Sequence, residues 1–188
     1  MFDSQIALLE GAIPELFCSG VSPGPLGARH PGTAPFDAFR AADVYIVIAA
    51  GPDHLFDSLA DVLGRPDLLT DARFASRQAR VEHQQALKHI IESVLATAPA
   101  DHWLARLEAA GIPAGPVNDV ATMMADPQVL QRAVLPPIRG TGGQRAPATP
   151  IRLSTAVHPA ELPPVPRLDE HRAAILRFAA GEALDPIE

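Results

Sequence analysis

Twenty prolines among 188 residues, gathered mainly in two stretches, limit what this chain can fold into. A prolyl nitrogen has no hydrogen to donate, so helix interiors and central strands exclude it. Between Ser19 and Pro35, four prolines (Pro23, Pro25, Pro31, Pro35) alternate with Gly20, Gly24, Gly27 and Gly32, without repeat or period. That stretch is predicted to be one long connection, of a length that inside compact proteins is functional or disordered. Eight more prolines lie from Pro136 to Pro166. Regular structure is therefore expected before Gly20, within about 36–130, and near the C-terminal end.

The opening residues Ile6, Leu9, Ile13, Leu16 and Phe17 fall at helical spacing, with Pro14 predicted to bend the helix and Gly20 to stop it. The chain thus opens almost directly onto an apolar helix with nothing ahead to cover it, so a piece of a longer or split protein is expected. Val44 to Ala49 is β-branched and aromatic, the pattern of a buried strand. Gly51-Pro52 can start a helix through Leu55, Leu59 and Leu63 that ends at Gly64. Leu87, Ile90, Ile91, Val94 and Leu95 give the clearest helical stripe. Trp103 and Leu107 mark another helix closed by Gly111, with Ile112 placed to pack back on it. Asn118 and Asp126-Pro127 are candidate starts of two short helices. Two β-like runs are predicted near Leu135–Ile138 and Ile151–Leu153, with a turn at Gly140-Thr141-Gly142-Gly143 and a last helix from about Asp169 to Ala180. The fold class expected is α+β: a mostly helical small domain with a short sheet, flanked by segments that belong to something else.

Composition excludes several functions. Hydrophobic residues make up 47%, enough for a core, and the net charge of −7 disfavours nucleic acid and anionic membrane as partners. No apolar run approaches the ~20 residues of a membrane span and no leader pattern is present, so a cytoplasmic protein is expected. One lysine, Lys88, stands beside 14 arginines. With the abundant alanine and proline, this reads as the coding bias of a GC-rich genome. Cys18, the single cysteine, is expected to be a buried, inert thiol. The seven histidines include no tight ligand spacing; His83 and His89 are expected on an exposed surface and no metal site is predicted. There is no nucleophile elbow and no Walker loop, and the 140–143 glycines precede neither a lysine nor a helix.

Several blocks in succession are more specific than any one. Leu63-Gly64-Arg65-Pro66-Asp67-Leu68, then Asp71-Ala72-Arg73-Phe74 and Arg80, resemble a block of the class III coenzyme A transferases, the formyl-CoA transferase and carnitine dehydratase-like group. Trp103-Leu104-Ala105-Arg106-Leu107-Glu108-Ala109-Ala110-Gly111-Ile112-Pro113-Ala114-Gly115-Pro116-Val117 is similar in order and spacing. So are Asp126-Pro127-Gln128-Val129, Pro150-Ile151-Arg152-Leu153-Ser154 and Leu168-Asp169-Glu170-His171, where Asp169 replaces a usual glycine. The resemblance implies a Rossmann-like large domain, a small domain, and an interlocked dimer that moves coenzyme A between carboxylic acids. In that family an aspartate attacks the acyl thioester, giving a mixed anhydride and then an aspartyl-CoA thioester.

On this resemblance, residues 1–20 form a helix of the large domain and 21–35 a linker with the active-site loop. Residues 36–130 form the small domain, and 131–188 return to the large one. The nucleophile belongs to an N-terminal half that Met1 would follow, and Asp3 is not its equivalent, so no catalytic residue is assigned here. The loop Gly27 to Pro35 is expected to cover the site and exclude water, with Gly27, His30, Gly32 and Thr33 as contacts to substrate or coenzyme A. Prolines stand in it where some relatives have a glycine run. The implied substrates are an acyl-CoA thioester and a carboxylic acid, with no covalently bound cofactor. The implied partner is a second copy or an N-terminal half chain. Two alternatives stay open: an acyl-CoA racemase-type relative, whose acidic residue would fall in the turn Gly51-Pro52-Asp53, where proline stands at the closest match, and a non-catalytic dimerisation or binding subunit.

Overall fold

Two short β-rich runs and one Gly-Pro run much later in the chain find one another. In the computed structural model, which describes residues 1–155 and 159–182, β1 (Phe36–Arg40) pairs antiparallel with β2 (Tyr45–Ala49), Phe36 opposite Ala49 and Arg40 opposite Tyr45. β3 (Ala114–Pro116) adds on the other side, Ile46 opposite Pro116 and Ile48 opposite Ala114. The expected strand is β2; β1 and β3 went unread in the sequence. Phe39, Ile46 and Ile48 point into the core from one face, as a period of two requires.

Six helices surround or precede that sheet. α1 (Phe2–Ala7) and α2 (Ala12–Ser19) replace the single bent helix. The break comes before Pro14, which sits in the first turn of α2, where a missing N–H has no partner to lose. α3 (Asp53–Leu63) begins after Pro52 and ends on a left-handed Gly64, φ 66°. α4 (Arg77–Glu82) is capped by Ser76, whose hydroxyl accepts from the Ala79 N–H. α5 (Gln84–Leu95) buries Leu87, Ile91 and Leu95. α6 (Ala100–Ala109) closes at Gly111, φ 69°, with the Ile112 N–H donating to the Leu107 carbonyl and its side chain buried. Asp43 in the β1–β2 turn accepts from the Ala100 N–H at 2.8 Å, which holds its carboxyl below the usual range and ties the turn to α6. The core formed by these elements runs from Phe39 to Ile112 and includes Phe56, Leu59, Phe74, Trp103 and Leu107.

The chain divides into two compact units, Met1–Val117 and the residues from Asn118 onward. In the second, α7 (Val120–Ala125) is capped by Asp119 rather than Asn118, the Asp119 carboxylate accepting from the Thr122 N–H at 2.7 Å. α8 (Pro127–Arg132) starts as expected, with Asp126 as cap and Pro127 in the first turn. Of the two expected β-like runs, the first makes isolated bridges, Pro137 with Arg145 and Ile138 with Leu162, around the glycine turn. The run at Ile151–Leu153 is irregular, since its flanking Pro150 cannot enter a ladder. α9 (Arg172–Ala179) is shorter than expected because Asp169 is left-handed, φ 69°, and closes a separate turn ahead of it. Among the described residues, no helix is long and apolar enough to cross a membrane.

Candidate functional site

The long connection is anchored at its C-terminal end by the core built around the sheet. Thr33 is half-buried, Ala34 and Pro35 are buried, and the Ala50 N–H donates to the Pro35 carbonyl at 2.8 Å. Gly51 makes this seat possible. A Cβ built on it would overlap Thr33 Cγ2 outright, so the loop rests where any larger residue would stand.

Arg80 fastens the seat. Its side chain is 2% exposed, and Nε donates to the Ala34 carbonyl at 3.1 Å, Nη1 to Phe74 at 3.2 Å, and Nη2 to Gly51 at 2.9 Å. Nη2 also meets Asp53 Oδ1 at 2.6 Å, and the guanidinium lies 4.5 Å over the Phe56 ring. One planar cation thus joins the loop, the exit of β2, the start of α3 and the turn before α4. Asp53, at the first turn of α3, is held below its ordinary value by the Arg80 hydrogen bond first, with Arg77 adding to it. That carboxylate is committed to an ion pair.

Of the four loop residues singled out, three (His30, Gly32 and Thr33) make contacts within the chain. His30 donates its backbone N–H to the Phe36 carbonyl at 2.8 Å, while its Nδ1 accepts from the Gly32 N–H at 3.1 Å. The ring stacks on Phe36, centroids 5.3 Å apart and planes at 12°. Thr33 supplies the methyl that rests against Gly51. Gly27 is left-handed, φ 68°. Gly32 is exposed, and a Cβ there would meet nothing within 4 Å.

Sequence reasoning missed Arg80 and Gly51 as the makers of this seat. Arg80 lies seven residues ahead of Leu87, a spacing in the sequence that matches the stripe through Ile91 and Leu95, although a break at His83 puts Arg80 on a separate helix. That was the available signal. His83 and His89 are exposed as expected, and among the described residues no three ligand-type side chains gather. Cys18 is exposed on α2, contrary to expectation, because α2 buries no residue in this unit.

The sequence profile of CoA-transferase family III matches residues 1–172. The chain belongs to CoA-transferase family III. It is 43% identical over 184 residues to an acetyl-CoA:oxalate CoA-transferase of Acetobacter aceti, covering 97% of this chain and 46% of that protein. It is 33% identical to a succinyl-CoA:mesaconate CoA-transferase of Haloarcula hispanica, covering 94% and 44%. A crystal structure of a CaiB/BaiF family protein from Brucella suis superposes with a TM-score of 0.77 at 36% identity, covering 94% of this chain and 46% of that one. The family III chain described here therefore spans about half the length of the curated relatives it matches. Its α+β character is that of these neighbours.

Proposed function

We propose that this chain is the C-terminal portion of an acyl-CoA:carboxylate coenzyme A transferase, and that it supplies the loop and small-domain side of the active site. The observation that carries the reading is the collinear match to coenzyme A transferases over 97% of the chain, together with a loop held on a purpose-made seat at Gly51. In this reading Gly27, His30, Gly32 and Thr33 face the acyl-CoA. On the same reading, the loop anchored on that seat keeps water from a hydrolysable anhydride. The nucleophilic aspartate comes from the N-terminal half, so the chain by itself is inactive. The enzyme works in the cytoplasm as a homodimer, or as a complex with a separate N-terminal chain. Coenzyme A enters as a thioester substrate, and no covalently bound cofactor is required.

The commitment of Asp53 to Arg80 supports transfer over racemisation, since a carboxylate held in an ion pair is a poor base for an α-proton. The deciding experiment is thioester exchange from succinyl-CoA or acetyl-CoA to a panel of dicarboxylic acids. Exchange is expected when the chain is joined to the N-terminal half and not when it is alone. Turnover by the repurified chain alone would refute the half-site reading, and α-proton exchange without coenzyme A transfer would favour a racemase.

A further inference from the structure

His30 has one nitrogen fixed in its role. The Gly32 N–H donates to Nδ1 at 3.1 Å, so Nδ1 must present a lone pair, and the proton of the neutral ring must sit on Nε2. Stacking on Phe36 holds the ring plane, and the His30 backbone N–H on the Phe36 carbonyl holds its root. The residue is exposed, and its Nε2 has no hydrogen-bond partner among the described residues. In the neutral ring held this way, Nδ1 is the acceptor and Nε2–H the donor that points away from the turn.

We infer that His30 is a preset hydrogen-bond donor that orients an oxygen of the acyl ligand through Nε2–H, and is not a general base. An acceptor-only carboxylate is the group that best complements such a donor, and the charge strengthens the bond. The ligand class is therefore the free carboxylic acid that enters or leaves, held with one oxygen on Nε2. This rests on the transferase reading. It adds a residue whose contribution is orientation by a neutral donor, with the rigidity supplied by Gly32, Phe36 and the Arg80 seat.

Two substitutions separate the donor from the turn. In His30→Asn, the Asn side-chain oxygen takes the place of Nδ1 and can accept from the Gly32 N–H, as an Asx turn does, but the distal donor is lost. In His30→Gln, the amide nitrogen reaches toward the place of Nε2. With the chain joined to its N-terminal half, His30→Asn is expected to lower kcat/KM for the carboxylate by about 10- to 100-fold. Protection of the Gly32 amide against hydrogen exchange should stay as in the parent. His30→Gln is expected to recover part of the loss. Unchanged kcat/KM in His30→Asn overturns the inference, and so does a loss that comes with a deprotected Gly32 amide, because that marks a role in the turn alone. A parent protein inactive with every thioester would overturn the transferase reading instead. The donor state is then decided on this chain by itself, from two-bond nitrogen–proton correlations of histidine labelled with nitrogen-15 at a pH where imidazole is neutral. The Nε2–H form is expected; the Nδ1–H form overturns the inference.

Discussion

Arg80 shows what a single buried cation can organise. Three backbone carbonyls, from Ala34, Gly51 and Phe74, depend on it, and each would be left short of a partner if it were removed. Arg80→Leu is expected to destabilise the unit Met1–Val117 by about 2–4 kcal/mol in urea unfolding, with exchange rising first at the Ala50 amide. Arg80→Lys should recover less than half, because an ammonium cannot span the fork that the guanidinium fills. Gly51→Ala is expected to cost about 1–3 kcal/mol through collision with Thr33 Cγ2. Adding Thr33→Ser, which deletes that methyl, should return most of it, and a double-mutant cycle measures the coupling. Acid should act on the same neighbourhood. Asp53 is held below the usual 3.8 by Arg80, and Asp71 is lowered to about 2 by the Arg73 side chain and its backbone N–H. Both carboxyls bind protons less readily folded than unfolded. Their stabilisation is therefore complete above about pH 4 and is lost as pH falls toward 2. Thermal midpoints should decline through that window, and Asp53→Asn should flatten part of the decline.

Among the elements, β1 and α5 solve an edge problem together. β1 is an outer strand, and its groups at 36, 38 and 40 turn away from β2, where they would otherwise template another chain. Lys88 Nζ donates to the Ala38 carbonyl at 2.7 Å, and Glu92, one turn later, accepts from the Arg40 N–H at 3.0 Å. Asp37 accepts from the Ala38 N–H and also from Lys88, at 2.7 and 2.8 Å. A donor and an acceptor spaced i, i+4 on one helix face thus cap the edge. The single lysine of the chain acquires a structural role that composition does not reveal. Lys88→Met should destabilise by about 2 kcal/mol, since it strips the buried Asp37 of its cation. Lys88→Met with Glu92→Ala should expose the edge and promote self-association, read by light scattering against each single variant. At the other end of the chain, Asp169 is left-handed, φ 69°, a conformation that glycine adopts at less cost.

At the scale of the whole molecule, order and apolar exposure are unevenly placed. Core residues cluster between Phe39 and Ile112, whereas α1, α2 and α9 bury none of their own residues. Phe2, Leu8, Phe17, Ile175, Leu176 and Phe178 are all exposed. Each such side chain gains about 1.5–3 kcal/mol when covered, so the isolated chain is expected to self-associate, with exchange protection concentrated between β2 and Ile112. A monodisperse monomer protected at Leu9 and Ile175 would contradict this. The sequence alone determined the family, the helices with a clean apolar stripe, and the stops at Gly20, Gly64 and Gly111. These are properties of neighbouring residues, legible because one turn of helix or one left-handed glycine is decided within a few positions. It also pointed to the loop at Gly27–Pro35. Only the tertiary structure decided where that loop rests, because the seat joins Thr33 to Gly51 and Ala34 to Arg80. Likewise β1 and β3 are too short and too mixed to announce themselves. They become strands because β2 lies between them, with α5 closing one edge. Contacts between residues far apart in the chain leave no local period to read.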